Sequence, residues 1–148
     1  MNLSKNVDTR ECGAPVALAD DTDDNSDRID TAGYDGVRFI CPITDSVSTG
    51  VATLTVEQNT ADSDSGMAAL SGGAATATCT VTDDLNDQLL IVDVFKPLKR
   101  YVQAVRTSAT ANIAFGTLIV ELYGPHKAPI TDDDTVLDIE VIASPAEA

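Results

Sequence analysis

The chain has no tryptophan, one histidine, three cysteines, and only nine lysines and arginines against 24 acids. Each scarcity removes a class of function. A Ser/His/Asp triad would have to use His126, and no GxSxG-type nucleophile motif accompanies it. One histidine among scattered aspartates is also too small a donor set for a zinc centre. His126 lies between Pro125 and Lys127 in what reads as an exit loop, so a surface or interface position is expected. Cys12, Cys41 and Cys79 are odd in number and widely spaced, which argues against a disulfide framework and a CxxC metal site. Cys41 and Cys79 sit in apolar alternations and read as small buried hydrophobes, with a bridge between them open if their strands are neighbours. The net charge of −15 repels phosphate backbones and anionic lipid, so neither nucleic acid nor a membrane surface is an expected partner. No apolar run approaches the roughly 18 residues of a spanning helix. The opening residues MNLSKNVDTRECGAPVALADD hold no apolar h-region, so no secretory signal is expected. There is no Gly-rich phosphate loop, heptad run or basic-aromatic patch. No catalytic residue, cofactor or metal is nominated, and an enzyme is not expected.

What is present favours strands. Val, Thr and Ile are plentiful, while lysine and glutamate, both good helix formers, number four and five. A chain of 148 residues suits one domain, burying roughly 68–70% of its unfolded surface. The Asp-rich, Lys-poor surface fits a protein that stays soluble at high salt, where repulsion is screened.

Residues 1–33 show no sustained period and read as an extended acidic N-terminal arm, tied down at a few apolar points. Tyr34–Pro42 reads as a strand with Val37, Phe39 and Cys41 on one face. Val51–Gln58 alternates cleanly, with Ala52, Leu54 and Val56 inward. Asn59–Gly73 reads as a long loop, with one helical turn at Met67–Leu70. Thr76–Thr82 reads as a strand with Ala77, Cys79 and Val81 inward. Gln88–Phe95 and Asn112–Tyr123 are apolar on both faces, so each needs two covers, the second being a curling sheet edge or another subunit. In the latter, Ile113, Phe115 and Ile119 are set against Ala114, Leu118, Val120 and Leu122, and Gly116 marks a bulge or a close approach. Lys99–Thr107 is a strand between them, and Lys96–Pro129 reads as a two-strand hairpin. Thr135–Ala143 alternates Leu137, Ile139 and Val141 against Asp138 and Glu140, and reads as a last strand at a domain edge or added to a neighbour's sheet. About seven strands with turn signals between them indicate an all-β antiparallel β-sandwich, jelly-roll-like, with the body at 34–129 and a tail carrying one strand at 130–148.

Two constellations merit weighing. Asp21, Asp23 and Asn25 stand at positions one, three and five of a calcium-loop pattern, but Ser26 and Ala32 occupy the places of its Gly and Glu. A solvated acidic loop is the ordinary reading, with a calcium-binding surface module as a minor alternative. Arg100 and Arg106 share a strand face. They read as strand-end charges, as a pair for an acid such as Asp93, or as an ion pair across an interface.

Two stretches carry a family resemblance. Ile29–Ile40 (IDTAGYDGVRFI) resembles the "ID…GYDS…F" opening strand of a family of small tailed-bacteriophage virion proteins. Lys99–Pro129 resembles its closing half, where a "KRYVR" strand leads to a long apolar strand and a "GxPRHAP"-like segment, here Gly124-Pro125-His126-Lys127-Ala128-Pro129. Leu54–Gln58 resembles the "LTVQES" strand between them. The family's Trp-containing middle stretch is missing, and the acidic arm and the tail look like additions. The resemblance implies a capsid decoration (cement) protein that stabilises the phage head shell. Its expected partners are the major capsid protein and itself, as a homotrimer. Its expected place is the capsid surface of the virion, after synthesis in the host cytoplasm. A head–tail joining or tail accessory protein is the alternative. The interface candidates are Phe115, Leu118, Ile119, Arg100, Arg106, Leu137, Ile139 and Val141.

Overall fold

The computed structural model describes residues 2–143. Period-two alternation sets its frame. Strand β5 (Gly36–Ser46) buries Val37, Phe39, Cys41 and Ile43, and β6 (Val51–Asn59) buries Ala52, Leu54 and Val56. Successive side chains of a strand point to opposite faces, so each row lies on one side of its sheet. The remaining strands are β1 (Val7–Gly13), β2 (Val16–Ala19), β3 (Asp23–Asn25), β4 (Ile29–Asp30), β7 (Ala68–Thr78), β8 (Gln88–Phe95), β9 (Tyr101–Ala109), β10 (Ile113–Phe115) and β11 (Leu118–Tyr123). A short 3-10 turn, Leu3–Lys5, precedes them.

Two antiparallel sheets form a β-sandwich. In the first, β5 is central. β8 runs along one side of it, and β11 and β10 lie end to end along the other. β1 pairs beyond β11 and β2 beyond β10. The second sheet is ordered β7–β6–β9, with β3 and β4 along the outer edge of β9. Register follows burial: Val120 stands opposite Phe39 and Leu122 opposite Val37, which keeps the apolar rows together. Phe39, Leu54, Val102, Leu118 and Leu122 meet between the sheets, all fully buried. Among the described residues no helix is long and apolar enough to cross a membrane.

The expected all-β sandwich is the observed fold, but several local expectations fail. The stretch 1–33 forms four strands woven into both sheets. Its polar residues join through main-chain pairing, which needs no apolar period, and buried Cys12 and Ile29 pin it to the core. Lys96–Pro129 is not a hairpin: β9 belongs to one sheet, β10 and β11 to the other, so the chain crosses the sandwich between them. No helical turn forms at Met67–Leu70. That segment enters β7, which bulges over Leu70–Gly73 before resuming its pairing at Ala74. The expected strand at 76–82 stops at Thr78 and leaves Val81 67% exposed. There the Asp84 carboxylate accepts from the Thr80 amide and hydroxyl and the Val81 amide, at 3.0, 2.6 and 3.1 Å, folding the chain into a turn. Thr135–Ala143 forms no strand, and Leu137 is 99% exposed. The remaining residues of the expected tail, 144–148, lie outside the described ones.

Candidate interaction surface

The strongest unsatisfied feature lies on β8. Its inward residues Leu90 and Val92 join the core, while Leu89, Ile91 and Phe95 on its outer face are 55, 43 and 64% exposed. Among the described residues β8 pairs with β5 alone, which leaves its far edge open. Lys96-Pro97-Leu98-Lys99 then projects from the body, carrying Leu98 at 91% exposure. The Lys96 ammonium stands 5.2 Å from the Phe95 ring centroid. Neither Lys96 nor Lys99 has an acidic partner among the described residues. Beside this knob a groove of about 340 Å³ separates β8 from the β7 bulge. Gly72, at φ +73°, takes a backbone conformation that suits glycine, and nothing lies within 4 Å of where its Cβ would be, which keeps that wall low.

The requirement for a second cover therefore falls on β8. In Asn112–Tyr123 it is largely met. The main chain breaks pattern at Gly116, whose amide donates to the Pro42 carbonyl at 2.8 Å. That bulge turns Ile113, Phe115, Leu118, Val120 and Leu122 all toward the core, so the two opposed rows expected there do not exist. Phe115 and Leu118, expected at an interface, are 1 and 0% exposed and belong to the core. Ile119 is half-buried on the outer side of β11.

The two arginines part company. Arg100 is exposed and makes a two-pronged pair with Asp30 at 2.8 and 2.7 Å, which holds the Asp30 carboxyl below its ordinary pKa. Arg106 is 1% exposed. Its guanidinium donates to Asp24 at 3.0 and 2.5 Å, to the Gly116 carbonyl at 2.8 Å and to the Ala14 carbonyl at 2.7 Å. It thus ties β9 and β3 of one sheet to the bulge and the end of β1 in the other. Gly13 leaves room for it, since a Cβ there would stand 2.9 Å from the guanidinium. Asp93, proposed as an arginine's partner, instead accepts from the Tyr123 hydroxyl at 2.6 Å.

The acidic clusters are engaged by arginines. Asp24 serves Arg106, Asp62 and Asp64 hold Arg28, and Asp133 pairs with Arg10 at 3.4 Å. No group of three or more metal-ligating side chains stands together among the described residues. His126 is exposed and 3.2 Å from Asp35. The three cysteines are buried free thiols, so Cys41 and Cys79 are not bridged. Of the tail candidates, Leu137 and Val141 are exposed and Ile139 is half-buried. Sequence reasoning missed Leu98, whose signal was an apolar residue between lysines and beside a proline, and missed the groove, which arises from non-local placement.

No protein-family model matches the chain, and neither does any curated protein. Among solved structures it is similar to the PBSX exported protein XepA, with a TM-score of 0.51 and 15% sequence identity. The likeness covers 96% of this chain and 45% of that one, so this chain spans less than half the length of that protein. At this identity the likeness is one of fold.

Proposed function

We propose that this chain is a non-enzymatic phage virion protein that decorates the head shell and stabilises it, acting as a homotrimer on the major capsid protein. The observation that carries the reading is the bare apolar face of β8 with Leu98. Leu89, Ile91, Phe95 and Leu98 are exposed on a chain of net charge −15, and large exposed apolar side chains grouped together mark a protein contact. Two further points support it. The sequence resembles small tailed-phage virion proteins over most of residues 29–129, and the fold is like that of the PBSX exported protein XepA. The acidic surface suits the outside of a shell, away from packaged DNA.

The test is addition of the purified protein to head shells that lack it. Saturable binding at hundreds of copies per shell, with a higher shell melting temperature, is expected. The pair Leu98→Asp and Ile91→Asp should abolish binding while leaving the chain folded. Binding confined to six or twelve copies would favour a head–tail joining role. A chain melting temperature raised by Ca²⁺ and lowered by EDTA would favour the calcium-binding module.

A further inference from the structure

We infer that the open edge of β8 and the groove beside it receive the C-terminal segment Val136–Ala143 of a second copy of this chain, as an added antiparallel strand. The inference rests on the self-association in the reading above and names its donor and acceptor. The segment alternates Leu137, Ile139 and Val141 with Asp138 and Glu140, yet joins no strand among the described residues and exposes Leu137 to solvent. A row of this kind gains by lying on a sheet edge, where main-chain bonds supply affinity and alternate side chains enter pockets. β8, Gln88–Phe95, has an edge unpaired among the described residues and the same length as the segment. The groove between β8 and the Leu70–Gly73 bulge accepts the apolar row against Leu70, Val92 and Val94.

Charge selects this donor. Residues 130–143 carry five acids and no base, and the end of β8 carries Lys96 and Lys99 without acidic partners among the described residues. Geometry requires a second copy. The tail is held on β1 and the turn before it by the Ile130 amide to the Lys5 carbonyl, the Asp133–Arg10 pair, and the Glu11 amide to the Thr135 hydroxyl at 3.1 Å. From β1 across β11, β5 and β8 to the open edge is four strand spacings, about 19 Å, whereas Val136–Ala143 reaches about 26 Å fully extended. Crossing would consume most of the segment and leave about two residues to pair. A neighbour's tail needs no crossing, and repetition around a closed ring would fill every β8 edge.

The experiment is sedimentation of the full chain and three variants. The full chain should be oligomeric. A chain ended after Thr135, and the double variant Leu137→Asp/Ile139→Asp, should be monomeric with an unchanged melting transition. Ser71→Trp, which fills the groove from an exposed position, should also be monomeric. Mixing the chain ended after Thr135 with Ser71→Trp should restore a one-to-one pair, because the first keeps an acceptor and the second a donor. A monomeric full chain, an oligomeric variant, or no pair on mixing would overturn the inference. Shell binding is scored separately. Tail-dependent oligomers that ignore shells would sink the decoration reading alone. An oligomeric, shell-binding chain ended after Thr135 would sink this inference alone.

Discussion

Arg106 occupies a position where most proteins place an aliphatic side chain, in the same inward row as Val102 and Ala104. Four donor contacts engage it, two of them to the main-chain carbonyls of Ala14 and Gly116. Removing the guanidinium leaves the buried Gly116 carbonyl without its donor, which costs more than the ion pair gains. Arg106→Met should lower unfolding stability by about 3 kcal/mol in urea titration, the low end for a broken buried pair because Asp24 retains access to water. Arg100→Met should be far milder, since its pair with Asp30 is exposed and screened. The thiols show the same burial differently. Desolvation pushes Cys12 up to about 12 and Cys41 up to about 11. Both should therefore resist alkylation at pH 8 until the chain unfolds. Because the folded protein holds these protons more tightly, their contribution to stability is complete below the unfolded thiol value of 9.0. It is lost as pH rises through about 9 to 12, and a urea midpoint falling across that range checks the sign. The sequence marked Arg106 as a candidate but not its environment, because its partners come from positions 14, 24 and 116.

At the scale of elements, β11 and β8 began with the same description, apolar on both faces, and the structure separates them. β11 is flanked by β1 and β5 and presents Leu118, Val120 and Leu122 to the core. Leu118→Ala should cost about 3 kcal/mol and Leu118→Asp should yield no folded chain, whereas Ile119→Asp should fold and melt cooperatively. Circular dichroism melts of the three variants decide it: equal losses at both positions would refute the assignment of faces. β5, β6 and β8 were legible because each holds an uninterrupted alternation or apolar run. β7 was not, because its first half, Ala68–Gly73, is rich in Ala and Gly and carries the bulge. Nor were β1 to β4, whose strand character comes from the strands they pair with.

Over the whole molecule, a net charge of −15 on 148 residues sets a repulsive background that the carboxylate pairs of Arg10, Arg28, Arg38, Arg100 and Arg106 offset only locally. Screening that background should raise the melting temperature as salt is added at neutral pH, and a melting series in sodium chloride measures it. A temperature that fell steadily with salt would instead mean that the arginine pairs dominate. By itself the sequence determined the sandwich class and the inward rows of β5 and β6, because alternation and composition are local properties of the chain. Only the tertiary structure decided that the N-terminal stretch closes both sheets, that Phe115 and Leu118 lie in the core, and that the bare apolar face is on β8. The physical reason is that a strand's second face is covered or left open by residues distant in sequence, and pairing of main-chain groups leaves little imprint on the side chains that carry the pattern.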